Sequence, residues 1–300
     1  MLTPNWLKKK DIRQEFANRH LGLPRKVARI ARDPRDYDRR RKVGRALSAE
    51  TAYPELQQLM TDRHCQIALM QDRLESLLEA CDQRFAESSP DDMRVQEGKE
   101  FYLDLLGPED YRPASPFMAF ALDERLLVTA SIYLKGAAYL QSIELIRSVP
   151  LEGAQPLYRS QLWHFDNNND TRMLKLFVFV SDVSEDQGPF TFLRYRPSHQ
   201  VPWYEGHYLS DDSVFNYVTA DDVLRATGQR GSAFFVDTAA ILHCGSRCVR
   251  PRTVFVIHFN TGFGFFPRAR HGDHWQGATS SLTPLQRFAL GLYPNERRAG

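Results

Sequence analysis

The sequence predicts a mainly β protein, a sandwich or jelly roll with helices packed on it. Two observations carry that expectation. Past residue 115 the chain breaks into short apolar runs, rich in β-branched and aromatic residues and separated by Gly, Pro, Asp and Asn. Before residue 110 apolar residues recur instead at three- and four-residue intervals, the period of a helix. The expected organisation is a basic, helical region over 1–110 packed on a β domain over 111–300.

Composition narrows the class. At 300 residues, 42% apolar and 25% charged, the chain is ordinary for a soluble globular protein with a substantial core. Four cysteines, Cys65, Cys81, Cys244 and Cys248, are too few for a disulfide-stapled secreted scaffold. Lys8, Lys9 and Lys10 have no apolar run behind them, so a secretory signal is not expected. No stretch reaches the ~18 to 20 apolar residues of a membrane span. A cytoplasmic location is the expectation, with peripheral contact at the inner face of a membrane as its variant.

That variant comes from the first element. Residues 1–45 hold fifteen Lys or Arg against five Asp or Glu, a net +10 within a chain total of +2. Leu7, Ile12, Phe16, Leu23, Val27 and Ile30 recur with a spacing that suggests short amphipathic helices. Such an arm is either a solvated helical face or a contact for a polyanion, an anionic membrane surface or an acidic substrate. No specific nucleic acid is predicted. From Pro54 to Phe85 the pattern is again helical, with Leu56, Leu59, Met60, Ile67, Met70, Leu74, Leu77, Leu78, Cys81 and Phe85 on one side. Pro54 suits a first helical turn, and Cys65 and Cys81 read as small buried apolar residues. The loop formers of 88–92 end the pattern.

The strand-like runs follow in order. Leu126–Tyr133 is apolar and partly β-branched, and Leu174–Val180 is nearly all apolar until Ser181-Asp182 stops it. Phe190–Tyr195, Ser232–Val236 and Thr253–Phe259 share that texture. A last helix is expected from Thr283-Pro284 to Leu292.

The chemistry lies in two short segments. In Gln161-Leu162-Trp163-His164-Phe165-Asp166, the His and Asp are two apart. On an extended chain they therefore point the same way and can meet one metal ion. His243 stands 77 residues after Asp166, far enough for intervening strands to return it beside the pair. Two His and one carboxylate on one face of an ion make the triad of non-haem iron oxygenases, which leaves three positions open. Arg252, nine residues after His243, starts the next apolar run and suits a bidentate pair with the far carboxylate of a dicarboxylic acid. Arg247 and Arg250 are close by, so the choice among the three rests on register. Lys175 interrupts an apolar run; it either reaches the same diacid or lies on a wet face. His243-Cys244 with Cys248 lacks the paired ligands of a closed zinc site.

These segments resemble a known family. LWHFDNNNDTRMLKLFVFVSDVSEDQGPFTFL (162–193) and GSAFFVDTAAILHCGSRCVRPRTVFVIHF (231–259) resemble the two halves of the core of phytanoyl-CoA dioxygenase-like iron/2-oxoglutarate oxygenases. Ser198-His199 falls where that family carries a Gly-Ser-His element. The resemblance is specific at His164, Asp166, His243 and Arg252, spans about 100 of the 300 residues, and does not extend to residues 1–110. It implies a double-stranded β-helix (jelly roll, cupin-like), Fe(II), 2-oxoglutarate as co-substrate and O₂, with succinate and CO₂ formed alongside hydroxylation. Asp166 matters here because related halogenases replace this carboxylate with a small residue. The prime substrate is expected to be a small molecule or a carrier- or lipid-linked one, with an anionic group favoured by the basic arm. Two rivals stand beside this reading: a non-catalytic cupin-type barrel, and a polyanion- or membrane-binding protein that uses the barrel as scaffold.

Overall fold

The computed structural model describes residues 24, 27–28, 30–31, 33–50, 53–88, 94–95, 100–150, 156–166, 172–263, 275 and 279–292. Its organising element is the strand Arg252–Asn260 (β10), buried along its whole length. One side of β10 presents Phe255, Ile257 and Phe259 to a helical layer, while Val254 and Val256 face a second sheet. Burial on both faces explains why this strand reads as a continuous apolar run.

Around β10 lies an antiparallel seven-stranded sheet in the order β1-β8-β5-β10-β4-β3-β2. Its members are His64–Ile67 (β1), Arg94–Val95 (β2), Tyr102–Asp104 (β3), Tyr139–Ser148 (β4), Met173–Phe179 (β5) and Ala233–Val236 (β8). A smaller antiparallel sheet, β7-β6-β9, uses Phe190–Leu193 (β6), Val223–Ala226 (β7) and His243–Cys244 (β9). Phe177, Phe179, Phe234, Val254 and Val256 of the large sheet meet Phe190 and Phe192 of the small one, which closes a double-stranded β-helix. A third apolar cluster, with Trp163, Leu193, Leu209, Leu242 and Cys244, covers the outer side of the small sheet.

Helices cover the outer face of the large sheet. They are Pro34–Glu50 (α1), Pro54–Asp62 (α2), Gln71–Glu87 (α3), Pro116–Ala121 (α4), Glu124–Leu134 (α5) and Pro284–Leu290 (α8); the short Tyr195–Ser198 (α6) and Asp211–Phe215 (α7) lie beside the small sheet. The part of the basic arm within α1 packs on the end of α5. A Cβ on Gly44 would stand 2.5 Å from the Gly136 backbone nitrogen, so only glycine permits this approach. Arg40 of α1 is buried, pairs with Asp36 at 3.1 Å, and donates to the carbonyls of Ala137 at 3.0 Å and Phe288 at 2.9 Å. Leu7, Ile12, Phe16 and Leu23 lie outside the described residues. No helix among the described residues is long and apolar enough to cross a membrane.

Three elements differ from expectation. The single helical pattern over Pro54–Phe85 is interrupted: Arg63 adopts a left-handed φ of 67° that ends α2, and His64–Ile67 then pairs with β8. Backbone pairing at a sheet edge outweighs the apolar spacing there. Leu126–Tyr133 is not a strand but the body of α5. Asp123 caps that helix by accepting from the Arg125 and Leu126 amides, and near-complete burial removes the polar stripe that marks a surface helix. The long strand β4 escaped the reading of short apolar runs because Gln141, Ser142, Glu144 and Arg147 interrupt it. Residues before 110 thus contribute β1, β2 and β3 to the sheet as well as helices.

Candidate metal centre

His164 follows a short extended segment whose residues pair outside the named strands: Trp163 with Leu209, and His164 with His243 across two backbone hydrogen bonds of 2.8 and 3.0 Å. This bridge is what brings together two histidines far apart in the chain. Asp166 is placed by its own amide, which donates to the Thr238 carbonyl at 2.9 Å. One ligand atom from each of His164, Asp166 and His243 then falls within 4.8 Å of the others. The His164 Nε2 lies 3.7 Å from Asp166 Oδ1, and the His243 Nε2 lies 3.9 Å from Oδ2.

The rings are oriented by their other nitrogens. His164 Nδ1 is 2.8 Å from the Leu162 carbonyl and His243 Nδ1 is 2.9 Å from the Ile241 carbonyl. A carbonyl only accepts, so each Nδ1 carries the proton and each Nε2 keeps a lone pair free for a metal ion. Burial keeps both rings neutral, with the His164 pKa pushed down to about 3 by desolvation first and by His243 second. Asp166 is held well below the usual carboxylate range: burial raises its pKa, and nearby positive charge, that of Lys175 first, more than offsets that. Two neutral imidazoles and one carboxylate converging on one point are the donor set that suits Fe(II). Among the described residues this is the group able to hold a metal ion.

The triad opens into a cavity of about 110 Å³ between the sheets, which Arg252 and Lys175 also line. The three candidate arginines separate clearly here. Arg247 donates Nε to the Gln161 carbonyl at 2.7 Å and Nη1 to Asp211 at 2.9 Å, outside the cavity. Arg250 pairs with Asp186 at the exposed surface. Arg252 is 5% exposed, and its Nε and Nη1 are buried with no hydrogen-bond partner. A buried guanidinium with two idle donors fits a carboxylate ligand, since unmet donors of this kind cost free energy. Lys175 does not lie on a wet face: its Nζ is 2.6 Å from Asp166 Oδ2 inside the cavity.

Glu144 was not singled out from the sequence, and several other residues also shape the site. Glu144 of β4 lines the cavity, and its carboxylate accepts from the Tyr102 hydroxyl at 2.5 Å and the Ser142 hydroxyl at 3.3 Å. Its strand is too broken by polar residues to be read from apolar spacing, so the sequence offered no signal for it. Ser198, noted only through the family resemblance, accepts from the Leu242 amide at 3.0 Å and so fixes the residue before His243. Phe190 stacks on the His243 ring with centroids 5.1 Å apart. His258 is buried next to Lys175 in register, its Nε2 unpartnered and its pKa pushed down to about 3, chiefly by burial. Cys244 packs in the apolar cluster outside the small sheet, and Cys248 donates to the Gln187 carbonyl at 3.3 Å, so neither joins the triad. The polar residues 167–170 lie outside the described residues.

No family model and no curated protein sequence matches the chain. Its fold does match solved structures of EctD from S. alaskensis. With 2-oxoglutarate and 5-hydroxyectoine bound, EctD is 18% identical over 73% of this chain and 82% of its own, with a TM-score of 0.52. Its apo form (18% identical, 70% of this chain and 77% of its own) and its Fe-bound form (18%, 70% and 76%) give TM-scores of 0.51 and 0.50. The likeness is one of fold: the double-stranded β-helix expected from the sequence is the architecture shared with these structures.

Proposed function

We propose that the chain is an Fe(II)/2-oxoglutarate-dependent oxygenase that hydroxylates a small molecule, free or attached to a lipid or carrier. One observation carries the reading: His164, Asp166 and His243 converge in a cavity that is also lined by Arg252, two of whose buried donors have no partner. EctD structures of the same fold hold Fe and 2-oxoglutarate. His164, Asp166 and His243 would hold the iron, and Arg252 would take the far carboxylate of 2-oxoglutarate. When bound, these groups supply O₂ activation coupled to conversion of 2-oxoglutarate to succinate and CO₂.

The remaining work is that of the chain. The Leu162 and Ile241 carbonyls fix the two imidazoles so that no reorientation is needed on loading. Phe177, Phe190, Val254 and Val256 wall the cavity with apolar surface, which keeps water from competing for the open positions. The carboxylate of Asp166 occupies the place that a halide would need, and this favours hydroxylation. Purified protein with Fe(II) and 2-oxoglutarate should release succinate slowly without a prime substrate. His164→Ala and Asp166→Ala should abolish this release. Wild-type succinate production in both variants, with iron content unchanged, would overturn the ligand assignment.

A further inference from the structure

A second cleft, of about 180 Å³, lies away from the metal cavity and shares none of its described lining residues. It is bounded by α1, the turn that ends α5, and the residues flanking β5 and β10. Arg40, Arg41, Lys135 and Arg172 line it, and no acidic residue does so among the described residues. Arg40 is neutralised by Asp36 and fully engaged. The other three have no carboxylate in ion-pair range among the described residues. Arg41 donates to the Tyr37 hydroxyl at 3.2 Å, and Arg172 donates to the Tyr133 carbonyl at 2.9 Å.

We propose that this cleft binds a phosphate group. Three cations facing one space repel each other, and a multiply charged anion between them removes that cost and gains charge-assisted hydrogen bonds. Three of the last four carbonyls of α5, which would oppose an anion, are already engaged. The Ile132 and Ser131 carbonyls accept from the Lys135 and Gly136 amides, and Tyr133 accepts from Arg172. The space equals about six water volumes, room for a phosphoryl group and a few attached atoms. Tyr37 and Phe263, edge to face with centroids 5.4 Å apart, give one wall an apolar character suited to the organic part of a phosphate ester. The same chemistry is offered by a free phosphate ester and by an anionic lipid headgroup. The cleft also gives a structural place to the basic arm, since Arg40 and Arg41 belong to it. The proposal does not depend on the metal reading, because binding here is measurable without iron.

The test uses the full chain without added metal, titrated by calorimetry at low salt with inorganic phosphate and pyrophosphate. In parallel, phosphatidylcholine vesicles with and without phosphatidic acid are sedimented with the protein. Saturable 1:1 binding of pyrophosphate, weakened about tenfold or more by Arg41→Gln and by Arg172→Gln and kept by the corresponding Lys variants, supports the site with a soluble ester as source. Acid-dependent vesicle binding lost in the same Gln variants, with no binding of free phosphate, supports the site with a lipid headgroup as source. Exposed Lys135→Glu, which disturbs no packing, provides the same readout should Arg172→Gln fail to fold. Phosphate and vesicle binding that are absent, or present but unchanged in these variants, overturn the proposal, because adsorption elsewhere on the arm would not involve these residues.

Discussion

Arg252 shows what a single side chain adds to the metal reading. Its Nε and Nη1 have no hydrogen-bond partner and the residue lines the cavity of the triad, so its substitution should separate diacid binding from metal binding. Arg252→Ala is expected to raise the 2-oxoglutarate requirement by the equivalent of about 2 to 5 kcal/mol while leaving Mn(II) affinity intact. Lys175 leads to a different expectation. Its ammonium holds the carboxylate that a metal must take, so Lys175→Met should bind Mn(II) more tightly than wild type in a calorimetric titration. Equal or weaker Mn(II) binding in that variant would contradict the competition. At this scale the sequence was informative where two ligands stand two apart on extended chain, as His164 and Asp166 do. It set Arg252 ahead of Arg247 and Arg250 by register and resemblance alone, because which guanidinium already has a partner is not written in the sequence. Glu144 was illegible because its strand had not been read.

Among elements, the contact of α1 with the end of α5 leaves no room for substitution. Gly44 meets backbone at Gly136, and backbone cannot rotate aside as a side chain can. Gly44→Ala should therefore destabilise the protein by about 1 to 3 kcal/mol despite the better helix propensity of alanine. Urea unfolding measures this directly. The strands β5, β6, β8 and β10 were legible because apolar runs bounded by turn residues have few other uses. Burial on every side misled at α5, where a helix without a polar stripe imitates a strand. The reverse happened at β1, where four residues between two helices happened to keep helical spacing. In both cases tertiary surroundings decide the local structure, and those are absent from a short window of sequence.

For the whole molecule, the helical layer and the sheet are joined through a buried carboxyl. Asp237, just after β8, accepts from the Tyr133 hydroxyl of α5 and from the Ala239 and Ala240 amides, while its own amide donates to the Arg63 carbonyl. Burial pushes its pKa up to about 6 from the usual 3.8. A carboxyl harder to ionise in the folded than in the unfolded chain stabilises the fold fully below pH 4. That contribution fades as pH rises to about 6, a change of about 3 kcal/mol in order of magnitude. Asp237→Asn cannot ionise, so the stability of the variant relative to wild type should rise between pH 4 and pH 6 and level off above. Unfolding free energies at several pH values would show it; a constant difference would mean that Asp237 is already ionised at pH 4 in the folded protein.

The fold closes two sheets over one cavity and brings His164, Asp166 and His243 to it from two segments far apart in the chain, and the proposed function makes these three the ligands of iron. The most direct test is a crystal structure of the wild-type chain grown anaerobically with Fe(II) and 2-oxoglutarate, with iron located by its anomalous scattering. One iron bound by His164, Asp166 and His243, with 2-oxoglutarate reaching from it to Arg252, is the expected result. Iron found elsewhere, or a triad that stays empty at saturating metal, would contradict the account.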